Sequence, residues 1–174
     1  MPGQSTVILR ACLIAATAAG CTTANGGAVD LSWKLRPQSG ATDDPNVPTF
    51  LDCSMQGSDG EPLGGSVQCI ELQWQVGSDS GFSDFQCVDQ HGETLFDLPT
   101  GTASLSVVPL CADPTMPKQC VRTRAATVGT YLAPAPVQRQ VTVGGTISLG
   151  AVELVVDVAP SMADCSTTVS CICD

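Results

Sequence analysis

The chain has 174 residues with 7 basic and 17 acidic side chains, so its formal net charge is −10. Nucleic acids and anionic membranes are bound through basic faces, so this balance argues against both as partners. A mature chain of about 150 residues can bury one hydrophobic core, and we therefore expect one principal domain.

The N-terminus reads as an export signal that ends at a cysteine. Its apolar stretch is about ten residues long, whereas a helix that crosses a bilayer needs roughly 20. The small residues Ala18, Ala19 and Gly20 stand directly before Cys21, where a signal peptidase must draw the backbone into a narrow cleft. The pattern predicts a segment that is removed during export.

The sequence Ala18-Ala19-Gly20-Cys21 resembles the lipobox of bacterial lipoproteins, and the whole chain is similar to uncharacterised secreted lipoproteins of Gram-negative bacteria. The resemblance implies that Cys21 carries diacylglycerol, becomes the first mature residue and anchors the protein to a membrane. Thr22 stands where an aspartate would retain a related lipoprotein at the inner membrane, so the resemblance implies the outer membrane of the cell envelope. The alternative is an ordinary secretory signal cut after Ala18.

Alternation of apolar and polar residues predicts strands at 29–36 and 70–76, each with one buried face. Trp33 and Trp74 lie on these apolar faces, so we expect both in the core and not on a sugar-stacking surface. Between the two strands, residues 37–65 are rich in turn formers and predict a long loop with a short strand at 49–53.

Further strands are predicted at 82–88, 94–98, 102–108, 126–132, 137–143 and 146–158. Gly144 and Gly145 separate the last two and predict a hairpin. No segment has a convincing helical period. Short strands divided by turns predict an all-β fold, an antiparallel β-sandwich of the prealbumin-like or Ig-like kind.

The segment 92–107 resembles a strand pair of the carboxypeptidase regulatory-like and Cna-B-like sandwiches. Leu98-Pro99 and Gly101 match the turn of the family pattern F-x-x-LP-x-G-x-Y-x-L-x-V, with Ala103 in the tyrosine position. The resemblance implies that Leu105 and Val107 face the core. It implies a supporting, spacing or adhesive module and no activity.

Eight cysteines remain when Cys12 leaves with the signal and Cys21 takes lipid. An even number in an exported domain predicts disulfides that staple the fold, although sequence cannot choose among the 105 pairings. A metal site in the tail is the alternative, but its spacing lacks the paired C-x2-4-C pattern of zinc sites. We predict no metal and no cofactor. The eight are Cys53, Cys69, Cys87, Cys111, Cys120, Cys165, Cys171 and Cys173.

These features predict four regions along the chain. They are a signal peptide at 1–20, the lipidated cysteine with a flexible tether at 21–28, the sandwich domain at 29–164 and a cysteine-rich tail at 165–174.

The sequence contains no recognised catalytic motif. His91 is the single histidine and hence the one candidate base for a Ser-His-Asp triad, yet the following Gly92 predicts an exposed turn. In the segment 77–81, Gly-Ser-Asp-Ser-Gly, Asp79 occupies the central position that serine has in a nucleophile elbow, so the segment does not match that motif. The pair Asp43-Asp44 and the segment 79–84 carry carboxylates but not the EF-hand spacing for calcium.

We therefore expect a noncatalytic lipoprotein, anchored through its N-terminal lipid on the periplasmic side of the envelope or at the cell surface. Its sandwich would serve a structural, adhesive or protein-binding role toward a partner that the sequence does not identify. Two alternatives stay open, a secreted hydrolase with an unrecognised acidic site and a metal-binding protein that uses the cysteine-rich tail.

Overall fold

The computed structural model describes residues 24–38, 43–113, 115–116, 119–121, 124–159, 162–165 and 171–173. Cys21 and the predicted signal peptide lie outside these residues.

Two four-stranded sheets pack together around one main core, which confirms the predicted all-β sandwich. A short helix, α1 (Met162–Cys165), follows the last strand. In chain order the strands are β1 (Ala28–Pro37), β2 (Val67–Val76), β3 (Asp79–Gln86), β4 (His91–Glu93), β5 (Gly101–Cys111), β6 (Tyr131–Leu132), β7 (Val137–Val141) and β8 (Thr146–Val156).

The first sheet has the strand order β4-β1-β8-β6, and its two long central strands run parallel. Ala28 pairs with Thr146 at one end of these strands, and Pro37 pairs with Val156 at the other. Parallel neighbours require a long crossover connection. The chain supplies it by forming the whole second sheet between β1 and β8.

The second sheet has the order β3-β2-β5-β7, with antiparallel pairing throughout the described residues. β2 is central, and its Trp74 lies between Gly81 of β3 and Leu105 of β5. Leu105 and Val107 are buried, as expected. Because side chains alternate along a strand, the residues between them face outward and form the other surface of this sheet.

Trp33 joins the two sheets in the core. Its buried ring stacks on Phe85 with the ring centroids 6.0 Å apart, and its Nε1 donates a hydrogen bond to the carbonyl oxygen of Cys87 at 3.0 Å. A Cβ at Gly92 would collide with the Phe85 ring, so glycine is required there. β1, β3 and β4 are thereby fixed to one another.

Three disulfides fasten loop segments to one end of the second sheet, which we call the stapled end. Cys69, Cys87 and Cys111 lie there, because Cys69 pairs in register with Gln86 and Leu110. The fourth bond is local to the C-terminal region. The predicted disulfides are thus confirmed, with the pairing Cys53–Cys87, Cys69–Cys120, Cys111–Cys173 and Cys165–Cys171.

The described part of the cysteine-rich tail packs into the sandwich. Ile172 is fully buried in the main core, its N–H donates to the Asp157 carbonyl, and its own carbonyl accepts from the Gly65 N–H, both at 2.8 Å. A cysteine binds zinc as the thiolate. Because Cys165, Cys171 and Cys173 are in disulfides, the oxidised protein offers no thiolate at these positions.

Several predicted elements differ from the observed ones. The strand expected at 94–98 is wrong, because β4 ends at Glu93 and a turn follows Thr94. Of the strand expected at 126–132, just Tyr131–Leu132 pairs. The strand expected at 49–53 is reduced to a single bridge between Leu51 and Leu35.

The hairpin predicted around Gly144 and Gly145 is also wrong. A turn does form, with φ of 68° at Gly144 and a 3.1 Å hydrogen bond from Gly145 N–H to the Thr142 carbonyl. However, β7 pairs with β5 and β8 pairs with β1. The turn therefore carries the chain from one sheet to the other.

The disulfides should differ in their contribution to stability. Replacing Cys111 and Cys173 together by serine should lower the free energy of unfolding by about 4 kcal/mol, because this bond spans 62 residues. The same change at Cys165 and Cys171 should cost about 2 kcal/mol, because that bond spans 6. Denaturant titration of both double variants, with the other bonds intact, measures the difference. Equal losses would contradict it.

Candidate functional site

An open groove lies on the outer face of the second sheet, in the half of β2 away from the stapled end. Its volume is about 550 Å³. We call it the amide groove, after the two glutamines at its centre. It is lined by Gln73, Trp74, Gln75, Ser80, Gly81, Phe82, Ser104, Ser106 and Pro136.

Strand register arranges the groove side chains in two rows. Gln73 lies between Phe82 of β3 and Ser106 of β5, and Gln75 lies between Ser80 and Ser104. Residues two apart on a strand face the same side, so the rows point to the same surface. The sequence signal for the groove is the polar half of the alternation that predicts β2, Glu71, Gln73 and Gln75.

Trp74 forms part of the groove wall while it also packs against the core. A Cβ at Gly81, its cross-strand neighbour, would collide with the indole ring. Glycine at position 81, on the edge strand β3, thus makes room for the tryptophan ring of β2. The expected core position is confirmed for Trp33, whereas Trp74 is only half-buried.

The groove offers amides and hydroxyls, which both donate and accept hydrogen bonds. The described residues that line it carry no charge, and Phe82 adds an aromatic ring that is 46% exposed. Gln73 Nε2 donates to Glu71 Oε1 at 2.7 Å, and Gln75 Nε2 donates to the Gly77 carbonyl at 3.3 Å. Such a surface suits an uncharged polar ligand.

Glu71 is a buried acidic residue on the polar side of β2. Its side chain is on the outer side of β2 but is buried, next to the Gln73 amide that donates to it. Asp84 lies opposite Glu71 in the register of β3. The alternation predicts the face of β2 on which Glu71 lies, but it does not predict that this face is covered at Glu71.

His91 contacts an aspartate and not a serine. Its Nε2 lies 2.7 Å from Asp30 Oδ2, and Ser148 Oγ donates to Asp30 Oδ1 at 3.2 Å. In a Ser-His-Asp triad the histidine contacts the serine, whereas here the carboxylate lies between the two. His91 is on β4, paired with Ser32, and not at the tip of a turn as predicted. The contacts tie β4, β1 and β8 together.

The acidic residues considered for calcium do not meet. Asp44 Oδ1 accepts the Asn46 N–H at 2.8 Å within its own loop. Asp79 and Asp84 are five residues apart on β3, which separates them by about 17 Å along the strand. Among the residues that the structure describes, no three carboxylate, imidazole or thiol groups converge on a common point.

The chain enters the sandwich at the end opposite the staples, which we call the entry end. Gly26 N–H donates to the Phe96 carbonyl at 3.0 Å, and Gly26 in turn accepts from Gly144 N–H at 2.9 Å. A Cβ at Gly27 would lie 2.6 Å from Val141 Cγ1. Gly26 and Gly27, which lie within the range 21–28 predicted as a flexible tether, are therefore packed against the sandwich.

A second depression, of about 600 Å³, lies beside the end of β8. Its polar side chains are those of Arg36, Gln38, Tyr131 and Asp157. Burial raises the pKa of the Asp157 carboxyl and also raises the pKa of the Tyr131 phenol, because desolvation penalises the charged form of each.

The raised pKa of Asp157 predicts a pH-dependent effect of Asp157→Asn. Above the carboxyl's ordinary range the fold bears the cost of an ionised, partly desolvated group, and in acid this cost disappears. We expect the variant to melt slightly above the parent at about pH 7 and with the parent at about pH 3. Melting curves at both pH values measure it, with Asp79→Asn, at an exposed aspartate, as control. A lower melting temperature at neutral pH would contradict the prediction.

Comparisons of the chain with protein-family models, with curated proteins and with solved structures find no match. The residues that the structure describes include no helix with the length and hydropathy of a membrane span. The functional conclusion therefore rests on the residues of the chain and on the geometry of its sandwich.

Proposed function

We propose that this protein is a noncatalytic lipoprotein of the bacterial cell envelope, anchored through Cys21 and placed at the outer membrane. The supporting observation is that the four disulfides use all eight cysteines that follow Cys21. None of these bonds involves Cys21, as lipidation of its thiol requires. Disulfides of this number also suit a compartment outside the cytosol.

The geometry of the entry end supports this proposal. From Cys21 to Gly26 the chain can span at most about 17 Å. A lipid on Cys21 would therefore hold the entry end of the sandwich close to the bilayer, with the stapled end directed away. The amide groove lies on a side face and would stay open to a partner.

We assign the adhesive or protein-binding role to the amide groove. Its uncharged donors and acceptors contrast with the net charge of −10 of the chain. A ligand that bears hydroxyl or amide groups and no net charge would find hydrogen bonds there without electrostatic repulsion. The Asp30–His91 pair on the first sheet has a structural role in this account.

Substitution of Cys21 tests the anchor. We expect the Cys21→Ala protein, expressed in a Gram-negative host, to leave the membrane fraction because it has no thiol to acylate. Mass spectrometry of the parent should show acyl groups on an N-terminal Cys21. Cys12→Ala is the matched control and should stay membrane-bound, since position 12 leaves with the signal.

Two outcomes would overturn the anchor proposal. One is a Cys21→Ala protein that still partitions into detergent with the membranes. The other is a parent protein whose mature N-terminus is a plain peptide without acyl groups.

The noncatalytic role is tested against the hydrolase alternative. The variants His91→Ala, Asp79→Ala and Asp84→Ala remove the candidate base and the candidate acids. We expect them to match the parent protein across a panel of ester, peptide and glycoside substrates, because His91, the candidate base, contacts Asp30 and not a serine. Turnover by the parent that is abolished in any one variant would establish an enzyme.

A further inference from the structure

We propose that the entry end is a membrane-contact surface, in which Leu95, Phe96 and Val143 insert into the bilayer interface beside the lipid of Cys21. The inference rests on the proposed lipidation of Cys21. It adds a second contact with the membrane, made by the folded domain itself.

The three side chains lie on two loops at the entry end. Leu95 and Phe96 belong to the connection between β4 and β5, and Val143 belongs to the turn between β7 and β8. Both loops are hydrogen-bonded to Gly26, through the Phe96 carbonyl and the Gly144 N–H. The apolar residues are thus held around the point where the N-terminal segment meets the sandwich.

All three side chains are large, apolar and exposed. The exposed fractions are 77% for Leu95, 41% for Phe96 and 62% for Val143. Single exposed apolar residues are common on protein surfaces, but a group of them at one functional position indicates a contact. Here the group coincides with the attachment point of the proposed anchor.

The bilayer is the occupant that the chain length favours. Four residues join Gly26 to Cys21, and the five steps along the chain reach at most about 17 Å. Apolar groups of interfacial proteins bury roughly 5–10 Å into the boundary between headgroups and acyl chains. A partner protein inserted between the entry end and an anchored Cys21 would have to fit within this short span, whereas the lipid surface is already there.

The backbone of the two loops is compatible with this position. Polar backbone groups that approach hydrocarbon need internal hydrogen bonds. Thr94 N–H donates to the Val29 carbonyl at 2.9 Å, Gly145 N–H donates to Thr142, and the Phe96 carbonyl accepts from Gly26. The loops therefore present apolar side chains from a hydrogen-bonded frame.

Charge predicts which lipid headgroups the surface tolerates. Glu93 and Asp97 flank the apolar pair, and the whole chain is acidic. Anionic headgroups would be repelled by these carboxylates. We therefore expect insertion into a zwitterionic surface, such as phosphatidylcholine, and weaker insertion when anionic lipid is added.

Tryptophan substitution at Phe96 tests the contact in the full-length lipidated protein. Phe96→Trp is reconstituted into phosphatidylcholine vesicles whose acyl chains carry bromine, a short-range quencher of indole fluorescence. Phe50→Trp is the matched control, because Phe50 is exposed to a similar degree, 47%, and packs beside Lys34. Lys34 lies six residues along β1 from Ala28, about 20 Å away. The parent protein gives the background from Trp33 and Trp74.

We expect the indole at position 96 to shift its emission to the blue and to lose intensity in brominated vesicles, while the indole at position 50 does neither. Leu95→Trp, at the most exposed of the three positions, should behave like Phe96→Trp. It keeps the test valid if the Phe96→Trp protein fails to fold. Vesicle-bound protein with no selective quenching at either position would overturn the contact and leave the anchor intact. Failure of the parent to bind vesicles would instead defeat the proposed lipidation.

Discussion

Attachment of loops to one end of the second sheet is the constraint on which the rest of the structure depends. The chain has long segments outside its strands, and cysteines at the ends of β2, β3 and β5 hold them through Cys53, Cys120 and Cys173. Cys87 has a second function, because its carbonyl accepts the Trp33 indole N–H from the other sheet. One bridge therefore connects a loop, the second sheet and the buried tryptophan of the first.

The sandwich has three regions, which differ in their position relative to these disulfides. The stapled end carries the disulfides and the buried Ile172. The entry end carries Gly26 with its hydrogen bonds to two loops. The amide groove lies on the outer face of the second sheet, in the half nearer the entry end, where β2 is paired on both sides and its side-chain rows are fixed by register. In the account proposed here, these regions provide stability, membrane contact and binding respectively.

Much of the fold could be predicted because burial of one face leaves a period of two in the sequence. β1, β2 and β5 lie close to their predicted positions for this reason. The partner of each strand could not be predicted, because alternation specifies which face is buried and not which strand lies beside it. For this reason the parallel β1–β8 pair was missed and the hairpin at Gly144 was wrongly predicted. The groove was missed because Gln73, Gln75, Ser104 and Ser106 meet only once the strands are in register. The burial of Glu71 was missed for the same reason, because it depends on tertiary packing.

The most direct test of this account is disulfide mapping by mass spectrometry, on protein exported by a bacterial host and digested without reduction. The account predicts linked peptides for Cys53–Cys87, Cys69–Cys120, Cys111–Cys173 and Cys165–Cys171, with Cys21 in none of them. A different pairing, a bond to Cys21, or eight free thiols that hold zinc would contradict it.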